Sequence, residues 1–281
     1  MPLHSSSVGS STSLRIACDS RWVMAYSAAV GLVDRRSFDT AFDGGVVAHP
    51  LFPVAPEWAL LTKEADPFRL GLSRDERARG VHATHHLALH RPVRAGDDIE
   101  LRAEVVGIEG LPSGALATIR FDASTVAGEP VWTTWMGTIH RGVDLLGSDV
   151  VAPGPAVMSR TAAGDSTSTV HHVGAGDAHV YTECARIWNP IHTDVAVARS
   201  AGLPDIILHG TASLATAVTA AMGAAGRAPG DVASVSGSFR AMVLMPSDVR
   251  LDIAPVAGGC AFTVVNDAGQ PAVRDGLITF R

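Results

Sequence analysis

Apolar positions along this chain follow two periodicities, and the same succession of patterns is met twice. Residues 22–32 (WVMAYSAAVGL) space their apolar side chains as a helix does, whereas residues 99–108 and 115–123 alternate and residues 130–139 are strand-like. Gly96-Asp97 and Gly128-Glu129 supply turns between the strands. In the second half, residues 180–185 read as extended, 194–201 as a helix, and 210–222 as a second, strongly apolar helix. Residues 235–239, 249–255, 260–265 and 271–280 follow as strands. Each half therefore predicts an extended segment, an Ala-rich helix and several strands, an α+β layer arrangement with an antiparallel sheet wrapped around a helix.

Short echoes link the halves. Val46-Val47-Ala48-His49-Pro50 is answered by Ile206-Ile207-Leu208-His209-Gly210, and Arg94-Ala95-Gly96-Asp97-Asp98-Ile99-Glu100-Leu101 by Leu244-Met245-Pro246-Ser247-Asp248-Val249-Arg250-Leu251. Gly137-Thr138-Ile139 is answered by Gly276-Leu277-Ile278, and the three pairs keep one order, as a structural duplication requires. A stretch dense in Gly, Ala, Pro, Ser and Thr separates the halves. The expected organisation is a flexible tail over 1–13, a first lobe over 14–145, a linker over 146–168 and a second lobe over 169–281.

Composition narrows the classes of function. Of 281 residues, 47% are apolar and 18% charged, enough apolar material for a packed core. A net charge of −6 and a pI near 6.0 speak against nucleic acid as the partner, since phosphate backbones select clustered positive charge. Cys18, Cys184 and Cys260 are odd in number and lack CxxC spacing, so neither a disulfide framework nor a zinc knuckle is expected and a cytoplasmic location fits. The opening MPLHSSSVGSSTS has no apolar core of a secretory signal. Residues 206–225 carry no formal charge, yet they are rich in Ala and contain His209, Thr and Gly, which predicts a buried helix and no membrane span.

Residues 185–212 (ARIWNPIHTDVAVARSAGLPDIILHGTA) carry the most specific pattern. Asn189-Pro190-Ile191-His192, then Asp194, Ala201-Gly202, Ile206-Ile207 and His209-Gly210 resemble, in order and separation, the signature of the MaoC-like (R)-specific enoyl-thioester hydratase/dehydratase family. With Tyr26-Ser27-Ala28-Ala29-Val30-Gly31 and His49-Pro50 as a degenerate first lobe, the chain resembles the two-lobe members of that family. The resemblance implies a double hotdog fold and a hydro-lyase acting on 3-hydroxyacyl or 2-enoyl thioesters of coenzyme A or a carrier protein. His192 would be the acid/base, because its unperturbed pKa lies near neutrality, and Asn189 would orient it. Pro190 turns the backbone so that both face one side. Gly210 would begin the buried helix, where free N–H groups meet an enolate-like oxygen. His209, Thr211 and Tyr181 are candidate substrate-binding residues. The family's catalytic Asp falls at Ile187 and its Gly at Arg186, so the paired mechanism does not carry over directly.

Three readings stay open at this point: a substitute acid such as Asp194 or Glu183, or an ordered water; a related one-proton reaction such as isomerisation or cyclisation; and acyl-thioester binding without turnover. A hotdog thioesterase is a further rival, disfavoured because residues 210–222 contain no carboxylate. No redox cofactor is implied, since no Gly-rich dinucleotide fingerprint follows a strand. The cluster His82, His85, His86 and His90 is not a metal site on strand geometry: His85 and His86 point to opposite faces, and His86 and His90 stand about 13 Å apart. Arg69, Arg74, Arg77 and Arg79 read first as a solvated face and second as a contact for coenzyme A phosphates. Exposed sheet edges make a homodimer the expected assembly.

Overall fold

The computed structural model describes residues 2–155 and 163–281. In chain order the first half holds β1 (Leu3–His4), β2 (Ser11–Ala17), α1 (Ser20–Ala29), α2 (Val54–Thr62), α3 (Arg74–Ala78), β3 (Gly80–Leu89), β4 (Asp98–Leu111), β5 (Gly114–Thr125), β6 (Pro130–Arg141) and β7 (Leu145–Leu146). The second holds β8 (Thr167–Val173), α4 (Asp177–Ala185), α5 (Val195–Ser200), α6 (Gly210–Ala225), β9 (Val232–Phe239), β10 (Ser247–Val256), β11 (Gly259–Val265) and β12 (Pro271–Phe280). Ten strands form one antiparallel sheet in the order β2-β4-β5-β6-β3-β9-β12-β11-β10-β8. Numbered within its own half, each set of five strands runs 1-3-4-5-2, and the halves meet through strand 2 of each, β3 against β9. The architecture is a double hotdog of the α+β class.

The sequence echoes occupy equivalent places in the two halves. Val47 bridges Arg94 in the first and Ile207 bridges Leu244 in the second. Likewise the Ala48 N–H donates to Val93 O and the Leu208 N–H to Val243 O, each at 2.9 Å. Residues that look alike are thus held by the same backbone pairing, which is what duplication of one unit predicts.

Burial explains the helices. In α6 the side chains of Leu214, Ala215, Ala217, Val218 and Ala221 are fully buried, and Ala packs the helix against β10, β11 and β12. The helix stops at Gly226, whose φ of +61° is the left-handed closure that glycine adopts without cost. Its counterpart α2 starts later, beyond Pro50 and Pro53, and spans 9 residues against 16. Helices α1 and α4 pack on one another across the lobe boundary, with the Tyr26 and Tyr181 rings 5.8 Å apart and their hydroxyls 3.3 Å apart.

Two expectations are corrected. Residues 2–13 are not a loose tail: Leu3 is fully buried on β1, which pairs with β7, and β2 forms an edge of the sheet against β4. One Leu among serines is too short a signal to register as an element, yet it closes the core. Residues 180–185 are helical, not extended, because they end α4, whose buried Ala178, Tyr181, Thr182 and Ala185 follow an i, i+3, i+4, i+7 stripe. Of the expected linker, residues 156–162 lie outside the described residues. Its earlier part is pinned: Val150 bridges Ile108, and Ala152 N lies 2.6 Å from where a Cβ on Gly107 would stand.

Candidate active site

The NPIH segment forms a single 3-10 turn between α4 and α5. Asn189 caps it, its side-chain oxygen accepting from the Ile191 N–H at 3.4 Å, and Pro190 supplies the fixed φ of the first position. His192 is thereby turned inward, 9% exposed, and its Nδ1 lies 2.8 Å from the Ile207 carbonyl oxygen. A carbonyl only accepts, so Nδ1 carries the proton and Nε2 is the free lone pair. Burial lowers the His192 pKa below its ordinary 6.5, which keeps the ring in the neutral, proton-accepting form at pH 7.

His209 stacks on His192 with ring centroids 3.6 Å apart and planes inclined by 23°. Its own pKa is pulled down to about 2, first by burial and then by the neighbouring His192. The Thr182 hydroxyl meets its Nε2 at 3.3 Å. A group so strongly held neutral fixes its neighbour's ring plane; it is a poor proton carrier.

His209 is also the N-cap of α6, and it places no side-chain acceptor on the first turn. The first two residues of this 16-residue helix, Gly210 and Thr211, line the cavity at the positive end of its dipole, while the next two N–H groups are taken up by the His209 carbonyl. Gly210 stands at the first position, and a Cβ there would come within 2.9 Å of Phe239 Cδ1, so any side chain would have to displace that ring or the helix start. In the first lobe the matching position is Pro50, which has no N–H to offer.

These residues converge on a cavity of about 320 Å³. Asn189, His192, His209, Gly210 and Thr211 line one part, together with Ile187, Ile191, Leu203 and Phe239. The first lobe contributes Val54, Glu57, Trp58, Leu61, His82, His85 and Met136. Arg141 and Arg240, both exposed, also border it.

Not every candidate reaches this wall. Asp194 is exposed and spends its carboxylate as the N-cap of α5, accepting from the Ala196 and Val197 N–H groups at 2.8 and 3.2 Å. Glu183 is exposed and is not among the lining residues. Tyr181 stands one residue behind the wall, fully buried, where its hydroxyl donates to Thr211 Oγ1 at 3.0 Å. It positions Thr211 and does not face the cavity. The Arg run expected as an alternative phosphate contact is likewise not on the cavity border, where Arg141 and Arg240 stand instead.

One carboxyl on the wall was not foreseen. Among the described residues lining the cavity, Glu57 is the sole acid; it is 2% exposed, and burial raises its pKa from 4.5 to about 8. A lone Glu within VAPEWALLT looks like an ordinary helix surface residue. Its inward turn depends on Trp132 Nε1 and Thr134 Oγ1, 75 and 77 positions away, which donate to Oε1 at 3.0 and 2.5 Å.

Known proteins resemble the chain in overall fold and, over the second half, in sequence. Residues 162–268 match the family model described as the MaoC like domain. A UPF0336 protein of Saccharopolyspora erythraea is 32% identical over 97 residues, which cover 34% of this chain and 60% of that protein, so the match spans about three fifths of the relative. Among solved structures, a MaoC-like dehydratase from Phytophthora capsici superposes with a TM-score of 0.80 at 20% identity, covering 97% of this chain and 95% of that one. A Mycobacterium tuberculosis protein described as a double hotdog superposes with a TM-score of 0.67 at 15% identity, covering 97% and 95%. The structural likenesses establish the fold, and the family match falls on the half that carries the NPIH and His-Gly segments.

Proposed function

We propose that this chain is a hydro-lyase that interconverts 3-hydroxyacyl and 2-enoyl thioesters at the His192–Gly210 site. The observation that carries the reading is the Nδ1 contact of His192 with the Ile207 carbonyl, 2.8 Å, which leaves Nε2 as the one free nitrogen of a neutral ring on the cavity wall. In dehydration, Nε2 removes the α-proton of the 3-hydroxyacyl thioester. The Gly210 N–H, at the positive end of α6, carries the charge that gathers on the thioester oxygen. The imidazolium then returns that proton to the departing β-hydroxyl, the C–O bond breaks, and water and the 2-enoyl thioester result. One base acting as acid in the second half of the step balances the reaction without a second carboxylate. Asn189, its side-chain oxygen engaged by the Ile191 N–H, has its amide N–H groups left to hold the hydroxyl or water. Arg141 and Arg240 would take phosphates of the thioester's carrier, coenzyme A or a carrier-protein arm, through paired guanidinium hydrogen bonds.

A second reading has a specific observation in its favour. Ile187, 5% exposed, lines the cavity where the resembling family places a carboxylate, which supports binding of an acyl thioester without turnover. Incubation of purified protein with a short trans-2-enoyl-CoA, followed by mass spectrometry and a free-thiol assay, separates the outcomes. A product heavier by one water supports the hydro-lyase; released coenzyme A identifies a thioesterase. Saturable binding with no product supports the binding subunit and contradicts the lyase.

A further inference from the structure

Resting on the acyl-thioester reading, the geometry points to an acyl chain that carries a neutral oxygen function, a hydroxyl or a keto group, away from the thioester, and we propose that Glu57 and His85 recognise it. A string of contacts leads from the oxyanion end into the first lobe. A Cβ on Gly210 would lie 2.9 Å from Phe239, whose ring centroid is 4.6 Å from that of His82, and His82 lies 5.4 Å from His85. His85 pairs with Met136 on β6, and Thr134, two residues along on the same face, donates to Glu57. At roughly 3.3 Å per residue those two β6 positions are about 7 Å apart, so the Glu57 carboxyl and the His85 ring flank one stretch of the wall. A register shift between His82 and Thr84 lets His82 and His85 share that inner face despite their odd spacing.

An alkyl chain would have no use for this wall. His85 is 2% exposed, and neither ring nitrogen has a hydrogen-bond partner among the described residues; His82 Nε2 is likewise without one. In the neutral ring that means one N–H and one lone pair left without a partner at the cavity wall. Buried polar atoms left in that state are rare in native folds and mark the place of a missing partner. At Glu57 both donors converge on Oε1, so the proton of the neutral acid sits on Oε2 and is available to donate. Burial favours that neutral form, with a pKa of about 8. Donor and acceptor together suit a hydroxyl or ketone oxygen. They do not suit a carboxylate tail, because no Lys or Arg lines this part of the wall among the described residues, the bordering Arg141 and Arg240 both being exposed.

The test uses the full chain and calorimetric titration with unreactive thioesters: hexanoyl-CoA, 6-hydroxyhexanoyl-CoA and 5-oxohexanoyl-CoA. One oxygenated chain is expected to bind at least about 10-fold more tightly than hexanoyl-CoA, as a site built to hydrogen-bond a substrate group discriminates against its absence. In His85→Phe and in Glu57→Leu that ratio is expected to fall toward one. Equal affinities for all three chains in the unaltered protein would overturn the proposal while leaving the thioester reading intact, and would mean that the wall is satisfied by water. If no thioester binds, the thioester reading falls, and ring ¹⁵N shifts of His85 on adding heptan-2-one decide the remaining question. A shift of that resonance, absent with heptane, supports the oxygen site, and no shift overturns it.

Discussion

His192 carries the proposed chemistry, and its environment fixes what titration should show. Its pKa is lowered by burial, and in the proposed mechanism the neutral form is the base, so protonation should remove activity on the acid side. The acid limb of kcat/KM against pH is accordingly expected to have its midpoint below 6.5, the ordinary value for imidazole. A midpoint above 6.5 would mean that another group controls the reaction. Gly210 makes a second prediction at this scale. A methyl group there meets Phe239 at 2.9 Å, so Gly210→Ala must displace either the ring or the helix start. The variant should fold, with kcat/KM reduced by about 10-fold or more, since misplacement by a fraction of an ångström is enough to spoil an oxyanion contact. Undiminished activity in Gly210→Ala would remove Gly210 from the mechanism.

Within the elements, local rules and long-range needs sometimes conflict, and the conflicts are informative. Arg186 ends α4 with φ +58°, a conformation costing a side-chain residue roughly 1–2 kcal/mol. Its guanidinium lies 4.3 Å over the Trp22 ring, worth about 0.5–1 kcal/mol, and reaches the exposed Asp19 carboxylate at 3.3 Å, worth about 0–1 kcal/mol. Arg186→Gly relieves the backbone and loses both contacts, so urea unfolding should change by no more than about 1.5 kcal/mol in either direction. A loss well beyond 2 kcal/mol would show that the ring contact ties α4 to α1 more strongly than this balance allows. In α2, Glu57 exposes a pH dependence. Its folded pKa of about 8 is above the ordinary 4.5, so the folded chain holds a proton that the unfolded chain releases between those values. Stability from this group is complete below 4.5 and is lost as pH rises through about 8. Glu57→Gln should lack that loss, so the melting temperature of the unaltered protein relative to the variant should fall from pH 5 to about 8. A constant difference across that range would contradict a buried neutral acid. The histidines act in the other direction: His49, His82 and His209, held near 3, 4 and 2, each cost stability as pH falls below 6.5.

Across the whole molecule, the sequence exposes what is written locally and hides what is assembled from afar. The two-lobe plan was legible because the echoes at His49-Pro50 and His209-Gly210, and at Arg94 and Leu244, are short strings whose backbone pairing repeats in the two halves. Asn189, His192 and Gly210 were legible because a turn, a proline and a helix start are local events. Leu3 on β1 was not, since its partner strand β7 begins at Leu145. Nor was Glu57, whose burial is decided by Trp132 and Thr134 on β6. Asp194 misled in the opposite way: an Asp just before a helix is a cap signal, and capping is where its carboxylate is used. The first lobe supplies the far wall of the cavity and the second supplies His192 and the start of α6, so neither lobe encloses the cavity alone.

The most direct test of hydro-lyase chemistry at His192 follows the enoyl absorbance of a short trans-2-enoyl-CoA in the ultraviolet, with the unaltered protein beside His192→Gln. Loss of the chromophore is expected with the first and a rate at least about 100-fold lower with the second, the scale expected for removing a general base. Equal rates in the two proteins, or an unchanged chromophore in both, would contradict hydro-lyase chemistry at His192.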